Sequence, residues 1–222
     1  MNYKIAYQGR PGAYSHMACK KAYPDCEPIP CETFEEVFEK TSKDFTDMAF
    51  IPIENSLAGR VADIHNLLPK STLVIVGEFF HKIRHQLLCC KDSSIGDIKV
   101  AESHFHALAQ CRKFLIKHNI KPVLSSDTAG AAELVALSGE KHRAAIASEL
   151  AGEIYNLKII EKNIEDAQHN TTRFLIMKSK LDEEKKEDIP YITSFIFSVR
   201  NISSALYKAL GGFSSNKVNM LK

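Results

Sequence analysis

Short apolar runs alternate with segments whose apolar residues recur at helical spacing along most of the chain. In the segment 104–118 they stand at positions 107, 108, 111, 114 and 115, the spacing of one helix face. We expect helices at 15–23, 33–43, 59–68, 104–118, 127–138 and 149–155. We expect strands in the runs YKIAYQG, EPIPC, DMAFIPI, TLVIVGEFF, RHQLLCC, KPVLSS, AAIAS and RFLIM. This alternation predicts an α/β domain with a largely parallel sheet.

The pattern changes after Lys180, where the charged run LDEEKKEDIP at 181–190 begins. A solvated helix face over 181–187 would also give such a run, but Pro190 ends it and both flanks are apolar, so we interpret it as a linker. Beyond it we predict a strand, YITSFIFSV, and a helix at 203–213. A strand and a helix cannot bury a core alone, so the tail is interpreted as a fragment of a larger domain.

Composition and charge narrow the class of protein. A chain of 222 residues with 45% hydrophobic residues can bury one large core, with or without a small appendage. The net charge of +2, with both signs interspersed, does not favour nucleic-acid binding. No apolar run approaches the ~20 residues that span a bilayer, and the amino terminus has no export pattern, so we expect a cytoplasmic protein with no membrane partner. The six cysteines include no CxxC pair and are interpreted as reduced thiols.

Hydroxyls, amides and glycines cluster where predicted strands pass into predicted helices. The clusters are QGRPGAYS, IENSLAG, AESH and SSDTAG, and NTTR precedes the last strand of the domain. Ligands of open α/β sheets bind at this end of the strands, where helix amino termini offer free N–H groups to anions. Ser15, Ser103 and Asp127 are also good helix caps, so each alone has a structural explanation. Together the clusters predict an anion pocket.

Several other kinds of site have no support in the sequence. GRPG is neither a GxGxxG dinucleotide loop nor a GxxxxGK[ST] triphosphate loop. His104 and His106 are two residues apart on a predicted helix and point to different faces, while His81 and His85 have helical ligand spacing in a predicted strand. No GxSxG nucleophile motif occurs. We therefore expect neither a metal nor an organic cofactor.

Five blocks resemble, in order and spacing, the motifs of prephenate dehydratases. They are GRPGAYSHMA (9–18), IPIENSLAGRV (51–61), SHFHALAQC (103–111), SSDTAGAA (125–132) and NTTRFLI (170–176). The resemblance implies a two-lobed catalytic domain over 1–180, similar to type II periplasmic binding proteins, with the active site in the cleft. We expect lobe 1 at about 1–75 plus 160–180 and lobe 2 at about 76–159.

Members of this family convert prephenate to phenylpyruvate, water and CO2 in L-phenylalanine biosynthesis, without a cofactor. The resemblance makes Thr172 the catalytic donor to the departing hydroxyl and Glu54 the candidate proton source, which would have to be protonated at neutral pH. Arg173 is expected to clamp a substrate carboxylate. The other positions expected to bind substrate or support the cleft are Asn55, Ser56, Ser103, Gln110, Asp127, Thr128, Asn170 and Phe174. For Asp127, helix capping alone is an equal alternative.

Two positions depart from the family pattern. The usual Ser-His-Pro-Gln is SHFH at 103–106 here, and the residue before Thr172, commonly tyrosine, is Thr171. These changes bear on substrate preference and rate. Arogenate dehydratase is an alternative function, because arogenate differs from prephenate only in an amino group that replaces the keto oxygen. A small-carboxylate sensing module, with this fold and without catalysis, is the non-enzyme alternative.

The tail over 191–222 resembles the first strand and helix of a ferredoxin-like ACT domain, which in this family binds L-phenylalanine as a feedback inhibitor. The family's Gly-Ala-Leu is Ser204-Ala205-Leu206 here, and the Glu-Ser-Arg-Pro motif expected after Leu221 is absent. We expect this incomplete βα unit to lack normal phenylalanine regulation. The family's habit predicts a homodimer or homotetramer.

Overall fold

The computed structural model describes residues 2–181, 192–193 and 197–220. Its strands are β1 (Lys4–Gln8), β2 (Glu27–Cys31), β3 (Met48–Asn55), β4 (Gly59–Arg60), β5 (Val74–Lys82), β6 (Gln86–Cys89), β7 (Val100–Ser103), β8 (Lys121–Leu124), β9 (Arg143–Ala147), β10 (Lys158–Glu161) and β11 (Thr171–Lys178). Its α-helices are α1 (Tyr14–Ala22), α2 (Phe34–Ser42), α3 (Ala62–Leu67), α4 (Phe105–Gln110), α5 (Arg112–Lys117), α6 (Thr128–Ser138), α7 (Glu149–Ile154) and α8 (Ala205–Ser215).

The first sheet has the strand order β2-β1-β3-β11-β5, with the short β4 paired to β3. β1 runs parallel to β2 and β3, whereas β11 runs antiparallel to β3 and β5. Neighbouring residues of β11 face opposite sides, because strand side chains have a period of two. Phe174 and Ile176 pack with residues of α1 on one side, while Leu175 and Met177 pack with residues of α2 and α3 on the other.

The second sheet has the strand order β10-β6-β9-β7-β8. β7 runs parallel to β8 and β9, and β6 runs antiparallel to β9 and β10. Leu87 and Ile146 pack against α4 and α5 on one face, and Leu88 and Ala145 pack against α6 and α7 on the other. Both sheets are therefore covered by helices on both faces, which explains why their strands are nearly continuous apolar runs.

Three α-helices begin with an N-cap side chain that accepts from the N–H group three residues later. Thr33, Asp127 and Ser148 precede α2, α6 and α7, and each accepts a hydrogen bond from the backbone N–H three residues later, at 3.2, 2.6 and 3.0 Å. Such a cap satisfies one of the N–H groups that the first helical turn leaves unpaired. The helix starts predicted at 33 and 127 therefore rest on a local signal that the sequence contains.

The predicted α/β class is confirmed, but both sheets are mixed rather than largely parallel. β11 enters the first sheet, and β6 the second, in the reverse direction. The helix predicted at 104–118 is interrupted at Cys111, where α4 ends and α5 begins. Its preceding strand β7 was not predicted, because it is short and ends in Glu102 and Ser103. In the helix predicted at 59–68, the first two residues form β4 instead.

The chain crosses from the first sheet to the second after Lys82 and returns between Glu161 and Thr171. By sheet membership, the first lobe boundary predicted at about 75 is therefore too early, since β5 belongs to the first sheet. The sequence of β5 is one long, mostly apolar run. Nothing in it indicated that the chain leaves the first sheet after this strand rather than before it. No helix in the described part of the chain is long and apolar enough to span a bilayer.

Contacts divide the chain into the units Met1–Lys185 and Lys186–Lys222. In the second unit, α8 corresponds to the helix predicted at 203–213, and Ser204 precedes it with a left-handed φ of 62°. The linker predicted at 181–190 lies outside the described residues except for its first residue. The strand predicted at 191–199 lies partly outside them, and its described residues are not in a strand. The division 1–180, 181–190 and 191–222 stays a prediction.

Candidate active site

A cavity of about 240 Å³ is lined by residues that both sheets position. β3 and β11 supply Asn55 and Thr172, and α4 and α6 supply Gln110 and Thr128. The lining residues are Tyr14, Ser15, Pro52, Asn55, Ala58, Val61, Ile83, His85, His104, His106, Ala107, Gln110, Thr128, Asn170, Thr172 and Phe174. Polar groups that are far apart in the sequence therefore converge on one cavity, as expected where strands end and helices begin in an α/β fold.

An irregularity in the pairing of β3 with β11 decides which side chains face this cavity. Asn55 pairs with Thr172 and Pro52 pairs with Phe174, so β3 carries one extra residue over this stretch. Strict alternation from Pro52 would place Glu54 on the cavity side. The β-bulge turns Asn55 there instead, beside Thr172.

Backbone groups fix the orientation of the Asn55 amide. The N–H groups of Leu57 and Ala58 donate to its Oδ1, at 2.9 and 2.8 Å. Its Nδ2 therefore faces the other way, where it donates to Asn170 Oδ1 at 2.7 Å and to Thr172 Oγ1 at 2.9 Å. Because the hydroxyl oxygen of Thr172 accepts this bond, its proton stays available to a ligand. Within the described residues the structure records no acceptor for that proton.

The same donor and acceptor order continues through Asn170 to the other side of the cavity. Since Asn170 Oδ1 faces Asn55, its Nδ2 faces Gln110 and donates to Oε1 at 2.8 Å. His85 Nε2 lies 2.8 Å from the same oxygen, so it is the protonated ring nitrogen of the neutral imidazole. Gln110 thus uses its oxygen inside the network, which leaves its Nε2 amide group to donate to a ligand.

Three helices begin at the cavity. Tyr14 is the first residue of α1, Thr128 is the first residue of α6, and His104 is the N-cap of α4. Helix amino termini carry a partial positive charge and unpaired N–H groups, which favour anions. None of the residues that line this cavity is an Asp, Glu, Lys or Arg. Its attraction for an anion therefore comes from backbone dipoles and uncharged donors.

Burial governs the titratable groups of the cavity. It lowers the pKa of His85 below its usual range, despite the opposite effect of its hydrogen bond to Gln110. It also lowers the pKa of His104, and the neighbouring His106 adds to this shift. It raises the pKa of the Tyr14 phenol well above its usual range. The imidazoles of His85 and His104 and the phenol of Tyr14 are therefore uncharged at neutral pH.

Arg173 and Glu54, expected as carboxylate clamp and proton source, do not line the cavity. The Arg173 side chain leaves β11 on the opposite face from Thr172 and donates from Nε to Glu78 Oε2 at 2.7 Å and from Nη1 to Glu54 Oε1 at 3.4 Å. Its guanidinium also lies over the Phe80 ring, 5.9 Å from the ring centre. An ion pair favours the ionised form of a carboxylate, so these contacts do not support Glu54 as a proton donor.

Three other expected residues act on the backbone instead. The buried Ser103 donates to the Ile146 carbonyl at 2.5 Å, Ser56 bonds to the backbone on both sides of Asn170 at 2.7 and 3.0 Å, and Asp127 caps α6. None of these side chains lines the cavity. The expected positions that do line it are Asn55, Gln110, Thr128, Asn170, Thr172 and Phe174.

Sequence reasoning missed five polar residues of the cavity: Tyr14, Ser15, His85, His104 and His106. A signal for Tyr14 existed, since it follows GRPG and opens a helix, and His106 lies in the segment that departs from the family pattern. His85 gave little signal, because it stands alone at the beginning of an apolar strand. In the described part of the chain, no three His, Cys, Asp or Glu side chains cluster as metal ligands.

Comparison with known proteins gives a family match over most of the chain. Residues 5–182 match the family model described as prephenate dehydratase. One curated relative is a bifunctional N-acyl-homoserine lactone acylase/prephenate dehydratase of Komagataeibacter europaeus, 44% identical over 98% of this chain and 78% of its own. Another is arogenate dehydratase/prephenate dehydratase 2, chloroplastic, of Arabidopsis thaliana, 40% identical over 99% of this chain. The chain spans 57% of the length of that plant relative.

Solved structures agree with the family match. The quorum-quenching acylase GqqA has a TM-score of 0.86 and 41% identity, with 99% of this chain and 80% of its own covered. A prephenate dehydratase from Arthrobacter aurescens, solved in complex with L-Phe, has a TM-score of 0.82 and 25% identity, with 96% and 72% covered. The expected periplasmic-binding-protein-like fold is thereby confirmed.

Proposed function

Because the chain belongs to the prephenate dehydratase family, we propose that it converts prephenate to phenylpyruvate, water and carbon dioxide. The bond from the ring to its carboxylate breaks, and its electron pair enters the ring as the bond to the ring hydroxyl breaks. The departing oxygen takes up one proton and becomes water. Aromatisation drives the reaction, so the protein needs to orient the substrate and assist the departing hydroxyl.

The observation that carries this proposal is the free proton of Thr172. Its oxygen accepts from Asn55, whose amide is fixed by two backbone N–H groups, so the hydroxyl is a pre-oriented donor. A threonine hydroxyl is too weak an acid to give up its proton outright. It stabilises the negative charge that develops on the departing oxygen, an effect that is large when the donor is already in place.

The two carboxylates of prephenate suit the donors on the other side of the cavity. Gln110 Nε2 is available to an acceptor, because the oxygen of this amide is engaged by His85 and Asn170. The first residues of α1 and α6 add unpaired N–H groups and the positive ends of two helix dipoles. These groups replace Arg173 as the proposed anion-binding elements.

Arogenate is the less suited substrate. It carries an ammonium group where prephenate has a keto oxygen, and burying an ammonium without a partner is costly. None of the cavity-lining residues is an Asp or Glu that would neutralise it. We therefore propose prephenate as the preferred substrate, although relatives named arogenate dehydratase are 37 to 41% identical to this chain.

Amide hydrolysis is a second candidate, because the relative named as a bifunctional acylase is 44% identical over 98% of this chain. Such a reaction needs an activated nucleophile. The aliphatic hydroxyls of the cavity are those of Ser15, Thr128 and Thr172, and among the described residues none of them has a recorded hydrogen bond to an imidazole. The Tyr14 phenol does contact His85, but burial raises its pKa well above its usual range, which disfavours the phenolate nucleophile. A cavity of about 240 Å³ also suits a small dicarboxylate better than a long acyl chain. The geometry therefore supports the dehydratase reaction best.

One parallel assay separates these functions. Purified protein is incubated at neutral pH with prephenate, arogenate or an N-acyl-homoserine lactone, and phenylpyruvate, phenylalanine or released homoserine lactone is measured. We expect phenylpyruvate to form with a kcat/KM about tenfold or more above that for arogenate. Binding of prephenate without product would contradict the dehydratase proposal and support a sensing module. Faster release of homoserine lactone would assign the cavity to the acylase reaction.

Two expectations about regulation and assembly stay predictions. Ser204, Ala205 and Leu206 lie at the beginning of α8, and Leu206 is exposed. Whether L-phenylalanine acts through them is a question for a titration that follows activity. The homodimer or homotetramer is likewise a prediction that analytical ultracentrifugation tests.

A further inference from the structure

The hydroxyl of Tyr14 makes a contact that the proposed reaction does not yet use. It lies 2.6 Å from His85 Nδ1 and 3.2 Å from the Arg84 carbonyl oxygen. The two rings meet nearly at right angles, at 83°, with their centres 5.4 Å apart. His85 is 3% exposed, and both rings line the cavity. The Tyr14 hydroxyl thus meets the nitrogen of His85 that faces away from Gln110.

The direction of this hydrogen bond follows from the far end of the network. The backbone N–H groups that hold Asn55 fix Asn170, Asn170 fixes Gln110, and Gln110 requires a proton on His85 Nε2. Neutral His85 then has an unprotonated Nδ1, which can only accept. Tyr14 is therefore the donor, and the short 2.6 Å contact takes its proton in preference to the Arg84 carbonyl.

The other neutral form of His85, with its proton on Nδ1, would reverse the last hydrogen bonds of this network. A proton on Nδ1 would leave the Nε2 lone pair facing the oxygen of Gln110, and two acceptors repel each other. The Gln110 amide would then turn, and its oxygen instead of its nitrogen would face the cavity. Its Nε2 would also meet the Nδ2 group of Asn170, so two donors would face each other. The Gln110 oxygen, turned toward the cavity, would repel a carboxylate of the substrate.

We propose that Tyr14 is a positioning residue for the reaction: by donating to His85 Nδ1, it holds His85 in the Nε2–H form, and this holds the Gln110 amide with its donor toward the substrate. This inference rests on the proposed function for its kinetic consequence. Its structural part, the tautomer of His85, is independent of which substrate the cavity binds.

The test compares Tyr14→Phe with the wild type. The change removes one oxygen and leaves Nδ1 of His85 as a buried acceptor without its donor, a loss that favours other protonation and ring states. We expect kcat/KM for prephenate to fall about tenfold. Tyr155→Phe is the matched control, since Tyr155 also donates to a backbone carbonyl, that of Pro11 at 3.0 Å, and does not line the cavity. It should leave kcat/KM unchanged.

The tautomer is read directly from the ¹⁵N chemical shifts of the imidazole in labelled protein, with the His85 signals assigned by their loss in His85→Gln. The wild type should have the Nε2–H form, and Tyr14→Phe should lower its population. A wild-type His85 protonated on Nδ1 would overturn the proposal, whether or not the variant folds. The proposal would also be overturned if kcat/KM of Tyr14→Phe equalled that of the wild type, including the case in which the variant only loses thermal stability. A wild type in the Nε2–H form that does not turn over prephenate would contradict the proposed function and leave the tautomer result standing.

Discussion

Thr172 and Arg173 are neighbours in β11, and their side chains leave the strand on opposite faces into different surroundings. Thr172 is 8% exposed and belongs to a network of uncharged amides that ends at the cavity. Arg173 belongs to an ion cluster with Glu54 and Glu78, on the face that also carries α2 and α3. One strand therefore supplies the proposed reaction site on one face and a charged cluster on the other.

The two faces of β11 differ in the kind of polar group they carry: oriented uncharged donors lie on the Thr172 face, and charged groups lie on the Arg173 face. On the Thr172 face, the amides of Asn55, Asn170 and Gln110 are each held by another hydrogen bond, and the order of donors and acceptors is fixed by backbone N–H groups at one end. On the Arg173 face, two carboxylates share one guanidinium and the charges are partly solvated, with 20% of the Arg173 side chain exposed. Uncharged donors of fixed direction suit a reaction in which charge develops, because they need no reorganisation when it does.

The largest effect is expected from Thr172→Val, which keeps the shape of the side chain and removes its hydroxyl. We expect kcat for prephenate to fall about 100- to 1,000-fold, the usual loss when one oriented donor is removed, with KM changed about threefold or less. Steady-state kinetics measure both parameters. Thr172→Ser is the matched control, since it restores the hydroxyl, and it should retain most of the activity. Equal losses of kcat in the two variants would mean that packing at this position, not the hydroxyl, limits the rate.

A smaller effect of a different kind is expected from Arg173→Met. The substitution removes the guanidinium that Glu54 of β3 and Glu78 of β5 share, and it removes the contact with the Phe80 ring. We expect the free energy of unfolding to fall by about 1–2 kcal/mol, between the values for exposed and buried ion pairs. Urea denaturation measures this loss.

Kinetics of the same variant distinguish the two roles that Arg173 can have. If its function is structural, KM for prephenate stays within about twofold of the wild type at a temperature where both proteins are folded. Arg173→Lys, which keeps the charge and loses the fork geometry, should lie between the two in stability. A KM raised tenfold or more with an unchanged free energy of unfolding would mean that the Arg173 guanidinium binds the substrate, as we expected from the sequence.

The two faces of β11 also mark what the sequence could predict. The polar segment NTTR and the apolar run after it correctly indicated a strand, and Thr172, Asn170 and Phe174 line the cavity in which we propose the site. Placing Arg173 in the same site was avoidable, since neighbouring residues of a strand face opposite sides. The choice between Glu54 and Asn55 was not predictable, because a β-bulge in β3 decides it and alternation alone gives the wrong one.

Long-range contacts account for the rest of what the sequence left open. Tyr14 and His85 are 71 positions apart in the chain, and only the approach of α1 to the segment before β6 brings them together. The individual helices and strands depend on local patterns, which is why most of them were found. The hydrogen-bond network of the cavity depends on where the chain crosses between the two sheets. The apolar runs in the sequence do not indicate that crossing.

The last effect is expected only at acidic pH and concerns the absence of charge on the Thr172 face. His81 pairs with Thr172 across β5 and β11, is 3% exposed, and has no hydrogen-bond partner at Nε2 among the described residues. Burial, with a smaller effect of Lys21, lowers the pKa of His81 to about 4. Since the unfolded chain titrates near 6.5, it binds a proton before the folded protein does as the pH falls, so stability should decrease between about pH 6.5 and 4.

Urea denaturation at a series of pH values measures this dependence. His81→Phe removes the titrating group and keeps a ring beside Phe79, so its free energy of unfolding should change less over this range than that of the wild type. The difference in slope cannot exceed one proton, which is about 1.4 kcal/mol per pH unit. Parallel slopes for wild type and His81→Phe would mean that His81 binds its proton as readily in the folded protein as in the unfolded chain, and that the Thr172 face tolerates charge.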